Sequence, residues 1–113
     1  MMKLEKVQEI LKAEAIVGKD SLSTTVERGC GSDLMSDVLA YGKPNSLLLT
    51  GLTNPQVIRT AEMADISAIV FVRGKIPPKE TIVLAQEKQI PILTTKFSML
   101  ESCGRLYEEG LLP

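Results

Sequence analysis

The chain has 113 residues, 44% of them hydrophobic and 24% charged, with a formal net charge of -1. This length suits one domain spanning residues 1–113 around one core, of a size that a second copy would help to stabilise. The charge balance leaves no basic footprint for nucleic acid or an anionic membrane, and no apolar run reaches the roughly 20 residues of a membrane helix.

In chain order, residues 3–13 read as a first helix, with Leu4, Val7, Ile10 and Leu11 on one stripe. This N-terminus lacks the apolar centre of a secretory signal and points to a cytoplasmic protein. Glu14–Val17 reads as a short strand ended by Gly18, and residues 24–28, β-branched at three positions, as a second one broken by Gly29–Gly31. Ser32 or Asp33 would cap a helix running to Tyr41, with Leu34, Met35, Val38 and Leu39 inward and Gly42 and Pro44 ending it.

The second half repeats one unit. "SLLLTG", "SAIVFVRG" and "PILTT" are apolar runs of the kind buried on both faces of a parallel sheet. Between them lie helical segments, the first capped by Asn54 with Pro55 at its first position, the second entered through Pro77 and Pro78. A closing helix, "KFSMLESCGRLYEEG", carries an interruption at Gly104. The pattern predicts an α/β fold, three-layer-like, with a mostly parallel sheet of about five strands and flanking helices joined by right-handed crossovers. The two early strands are expected to pair with each other at one edge.

The chemistry is bounded by what is missing. There is no histidine, and the two cysteines, Cys30 and Cys103, have no CxxC partner. A Ser-His or Cys-His nucleophilic pair is excluded, and two isolated thiols do not complete a tetrahedral zinc site without carboxylates. Neither catalytic residues nor metal ligands are assigned.

Two stretches attract a ligand reading. "GCGSDLMSD" at 29–37 places two glycines and a serine at a helix start. Gly31 and Ser32 fit a phosphate or carboxylate cradle, and equally a purely structural cap in which Ser32 closes the helix and Asp33 complements its dipole. Cys30 there would have a lowered thiol pKa, or would simply fill a tight turn. The carboxyl ends of the three later strands bring Thr50, Gly51, Thr53 and Asn54 towards Arg73, Gly74 and Lys75 and towards Thr94, Thr95 and Lys96. Open parallel sheets bind ligands outside those ends, where strand order reverses, and hydroxyls, glycines and cations suit an anionic metabolite or nucleotide. The alternative is solvated loop residues that cap helices. Tyr41 and Tyr107 read as core or interface aromatics.

Taken together, "ILKAEAIVG", "GSDLMSDVLAYGKPNSLLLTG", "NPQVIRTAEMADISAIVFVRG" and "KQIPILTT" followed by Phe97 resemble the DRTGG domain family from about Val7 to Leu100. The resemblance implies an α/β fold, dimerisation, and a regulatory or ligand-sensing role. Such domains are known alone, inside long phosphotransacetylases and beside CBS domains. They are similar to the N-terminal domain of HPr kinase/phosphorylase. The run Asp-Arg-Thr-Gly-Gly itself is absent, and Gly51-Leu52-Thr53-Asn54 is its nearest counterpart. No GxxxxGK[ST] phosphate loop exists either, since "VRGKIPP" lacks the upstream glycine and the hydroxyl after its lysine.

The expectation is therefore a non-enzymatic regulatory module, a homodimer, that binds an anionic small molecule at the carboxyl edge of the sheet and is read by a protein partner. Alternatives are an interaction module without a ligand, using Met35, Met63, Met99 and the "LLP" tail, and an accessory subunit of a kinase or acyltransferase.

Overall fold

The computed structural model describes residues 1–113. In chain order the elements are β1 (Met2–Lys3), α1 (Leu4–Leu11), β2 (Glu14–Val17), a 3-10 turn (Lys19–Ser21), β3 (Thr25–Val26) and β4 (Arg28–Gly31). Then come α2 (Met35–Tyr41), β5 (Ser46–Thr50), α3 (Pro55–Met63), β6 (Ala68–Phe71), α4 (Lys79–Lys88), β7 (Ile92–Thr94) and α5 (Met99–Glu108).

The main sheet has five strands in the order β2-β7-β6-β5-β4. β4, β5, β6 and β7 run parallel, and β2 joins β7 antiparallel with a bulge between Ala15 and Val17. The three central strands are buried along their whole length, as their unbroken apolar runs require. Alternation along them feeds two separate cores. Leu47, Leu49, Ala68, Val70 and Leu93 pack against Leu4, Val7 and Leu11 of α1 and Leu106 of α5. Leu48, Ile69, Phe71 and Ile92 pack against Val38 of α2, Val57, Ile58 and Ala61 of α3 and Ala85 of α4. The result is an α/β/α sandwich. A fully buried leucine such as Leu48 contributes on the order of 2 kcal/mol. No helix is long and apolar enough to cross a membrane.

Five expectations are corrected. The early strands do not pair with each other: β2 lies against β7 and β4 against β5, at opposite edges of the sheet. The expected strand 24–28 is divided at Glu27, because Val26 pairs with Met2 in a two-stranded ribbon while Arg28 pairs with Ser46 in the main sheet. Gly29–Gly31 do not break a strand; they form β4. The glycines serve close approach at this sheet edge. A Cβ on Gly29 would lie 3.3 Å from Leu111 Cδ2, and one on Gly31 3.0 Å from Cys103 Sγ and 3.2 Å from Met99 Sδ. α2 starts at Met35 and fully buries only Val38, with Met35 half-buried against the same core, and this one short helix leaves Leu34 and Leu39 exposed. α5 runs through Gly104 without interruption, its start capped by Ser98 Oγ, which accepts the Glu101 N–H.

Candidate functional site

Because β4 to β7 are parallel, Thr50, Phe71 and Thr94 end at one edge in mutual register. The strand order advances without reversal across β4-β5-β6-β7. α2, α3 and α4 accordingly share one face, whereas α5 leaves β7 for the other. The connections therefore diverge at one place only, between the tips of β6 and β7, and there a crevice is expected.

The chain closes that crevice with its own groups. Arg73 N–H donates to the Phe97 carbonyl at 2.8 Å and Gly74 N–H to the Thr95 carbonyl at 2.7 Å. Thr94 Oγ1 donates to the Lys75 carbonyl at 2.9 Å. Thr95 Oγ1 donates to the Leu11 carbonyl at 2.7 Å and accepts the Phe97 N–H at 3.3 Å, tying the end of α1 to the loop after β7. Thr94 and Thr95 are thus buried framework hydroxyls, already bonded within the chain. The loop reversal needs left-handed backbone at two successive residues, Arg73 (φ 64°) and Gly74 (φ 67°). Glycine takes that conformation freely; arginine takes it at a cost of about 1 kcal/mol.

The adjoining loop after β5 is held from both sides. Asp33 Oδ1 accepts the Thr50 hydroxyl at 3.0 Å and the Gly51 N–H at 2.7 Å. Lys75 Nζ donates to the Gly51 carbonyl at 2.9 Å, joining this loop to the one after β6. Thr81 Oγ1 donates to the Thr53 carbonyl at 2.7 Å, and Asn54 occupies the cap position of α3 without a side-chain capping bond. Asp33, expected to complement the dipole of α2, is instead the fastener of β4 to β5. The cap position of α2 belongs to Leu34, whose N–H donates to Ser32 Oγ at 3.1 Å. Ser32 N–H donates to the Leu49 carbonyl, so neither it nor Gly31 forms a cradle at a helix start.

Three cations remain at the edge, two of them, Arg73 and Lys96, with no side-chain hydrogen bond and the third, Lys75, held only by the Gly51 carbonyl. The side chains of Arg73, Lys75 and Lys96 are exposed, and none lies within 4.0 Å of a carboxylate. Lys96 Cγ would be 3.9 Å from a Cβ on Gly74, which places this side chain beside the Arg73-Gly74 turn. Exposed apolar residues border them: Leu34 before α2, Ile76 after β6 and Leu100 at the start of α5.

None of the five principal surface depressions is lined by the edge residues Thr50, Gly51, Thr53, Asn54, Arg73, Gly74, Lys75, Thr94 or Thr95. Gly31 belongs elsewhere, to a cleft beside β4 that Leu106, Leu111, Tyr41 and Tyr107 also line. Tyr41 and Tyr107 are exposed there and contribute nothing to the core. Met35 and Met99 pack against the two cores, which leaves Met63 as the one exposed methionine of the three. Cys30 lies in β4, not at a helix start, and partial burial pushes its thiol above the ordinary range, opposite to the expected direction. Burial raises Cys103 as well, with a smaller contribution from Cys30 nearby.

A family model, the DRTGG domain, matches residues 6–108. No curated protein sequence matches. Among solved structures, the fold is similar to the CBS and DRTGG domains of the regulatory region of Clostridium perfringens pyrophosphatase, complexed with the activator diadenosine tetraphosphate. The TM-score is 0.77 at 16% identity, over 93% of this chain and 46% of that one. The chain therefore spans just under half of that regulatory region. The match over nearly all of its length, on the parallel sheet and divergent loops described above, establishes that this chain belongs to the DRTGG domain family.

Proposed function

We propose that this chain is a non-catalytic ligand-sensing module, binding a small anionic metabolite over the tips of β6 and β7. The observation that carries the reading is the group of three cations, Arg73, Lys75 and Lys96, without carboxylate partners in a chain of net charge -1. A nucleotide or acyl phosphate is the class to test first. The C. perfringens regulatory region, similar in fold, was solved with a nucleotide activator, which supports the choice of class.

The edge also supplies a route from binding to response. Lys75 Nζ holds the Gly51 carbonyl. An anion competing for that ammonium would free loop 51–54 from loop 73–78. A signal follows if the anion favours the released arrangement by more than about 1 kcal/mol. Exposed Leu34, Ile76 and Leu100 on the same edge would present the result to a protein partner.

Thermal unfolding with millimolar ATP, diadenosine tetraphosphate and acetyl phosphate tests the reading. A ligand at tenfold its Kd adds about 1.4 kcal/mol, which raises Tm by about 5 °C at this chain length. The double substitution Arg73→Ala with Lys96→Ala should abolish the rise, since both side chains are exposed and carry no packing. Flat melting curves with all three ligands would sink the proposal. Sustained ATP hydrolysis lost on Arg73→Ala would favour the accessory-enzyme reading instead.

A further inference from the structure

The cleft beside β4 has a volume of about 430 Å³, within the range of small-molecule sites, and it is separate from the β6–β7 crevice. Its floor is apolar, formed by the edges of the buried Leu49, Leu106 and Leu111, and its open apolar surface is that of two tyrosine rings. Tyr41 and Tyr107 border it, 80% and 60% exposed. Rings left this open at the mouth of an apolar cleft are unused contact surface.

Charge narrows the occupant. Two cations, Arg28 and Lys43, line the cleft, and no Asp or Glu does, although the chain holds 14 acidic against 13 basic residues. Arg28 is already engaged: its Nη1 donates to the Pro44 carbonyl at 2.6 Å and lies 3.6 Å from Glu27 Oε2. Lys43 has no carboxylate within 4.0 Å.

Polarity narrows it further. Ser46 Oγ donates to the Lys43 carbonyl at 2.6 Å and Gly29 N–H to the Leu112 carbonyl at 3.0 Å, so these two groups beside the leucines are already spent, and the polar groups left are the tyrosine hydroxyls and Lys43 at the mouth. A nucleobase seated against Leu49, Leu106 and Leu111 would find no partner there for its ring nitrogens and amine, at a cost of roughly 1–3 kcal/mol for each left unpaired. An alkyl chain has nothing to leave unpaired. We propose that this cleft binds a small amphiphilic anion, its apolar body of medium acyl length between the Tyr41 and Tyr107 rings over the leucine floor and its carboxylate at Lys43. The two thiols, kept protonated by burial, add to the apolar lining.

The test is a titration of the isotopically labelled full chain with millimolar octanoate, read by amide NMR shifts, with 1-octanol as the uncharged counterpart. The expected result is saturable shifts at Gly29, Cys30, Gly31 and Gly42, with Gly74 unmoved. Octanol should bind about fivefold more weakly, and Lys43→Ala should lower octanoate affinity by about the same factor while leaving octanol unchanged. The exposed position of Lys43 keeps that variant folded. Absence of saturable shifts at the cleft overturns the proposal. So does equal binding of octanol and octanoate, which would mean apolar contact without anion recognition. Cleft shifts that follow protein concentration without octanoate also overturn it, since a second copy would then be the occupant. None of these outcomes bears on anion binding at Arg73 and Lys96.

Discussion

Asp33 and Lys75 hold Gly51 from opposite sides: Asp33 Oδ1 accepts its N–H at 2.7 Å, and Lys75 Nζ donates to its carbonyl at 2.9 Å. The first contact joins the tip of β5 to the chain leaving β4. The second joins it to the loop after β6. Three consecutive parallel strands are thereby fastened at their carboxyl ends by two side chains of opposite charge.

Removing the acidic half of this arrangement has a defined cost. Asp33→Ala deletes the acceptor of both the Thr50 hydroxyl and the Gly51 N–H. The site is partly open to water, so the loss should be about 1–2 kcal/mol and not the full value for two charge-assisted bonds. Urea unfolding should show a lower midpoint with unchanged slope. Asp33→Asn, which keeps an acceptor oxygen, should recover most of the loss.

Thr95 is the sharper test of the framework. Its hydroxyl is buried and donates to the Leu11 carbonyl at the end of α1. Thr95→Val preserves shape and leaves that carbonyl and the Phe97 N–H without partners, so a loss of about 2–3 kcal/mol is expected. Hydrogen exchange should quicken at the end of α1. A variant as stable as the parent would remove Thr95 from the set of structural fasteners.

The glycine at position 31 can be tested against its neighbour. Gly31→Ala would place a Cβ 3.0 Å from Cys103 Sγ and should cost about 1–2 kcal/mol. Adding Cys103→Ala removes the obstructing sulfur, and the double variant should be more stable than the sum of the single changes predicts. Strict additivity in thermal melts would show that the crowding lies elsewhere.

The thiols make an alkaline limit. Both folded values are raised, Cys30 by burial and Cys103 by burial and then by Cys30. In the unfolded chain they ionise first, from about pH 8.5 upward. Their contribution to stability is therefore complete below that pH and is lost as pH rises through the folded values. The variant carrying Cys30→Ala and Cys103→Ala should show a shallower alkaline decline in Tm than the parent. An identical slope would mean that these thiols carry no linkage.

Much of the architecture can be read from the chain before it folds. The runs at 46–51, 67–74 and 91–95 are apolar without alternation, and only a strand covered on both faces needs that composition. With helical segments between them, the parallel order and the common edge for Thr50, Arg73 and Thr94 follow from chain geometry alone. The DRTGG resemblance was legible for the same reason, since it rests on these runs and on the segment that precedes them.

What tertiary structure decided is how the neighbours of those runs are used. "GCG" reads locally as a break, and becomes β4 because it pairs with β5, at an edge where Leu111 and the α5 side chains lie within 3.0–3.3 Å of where a Cβ would sit. β2 lies beside β7 and not beside β4, a choice between two sheet edges that no local pattern encodes. Thr94 and Thr95 have the composition of a ligand site, yet their hydroxyls bond to carbonyls 19 and 84 residues away. The physical reason is common to all three. Periodicity and composition report the face that a residue offers, whereas its partner is chosen by packing between segments distant in the chain.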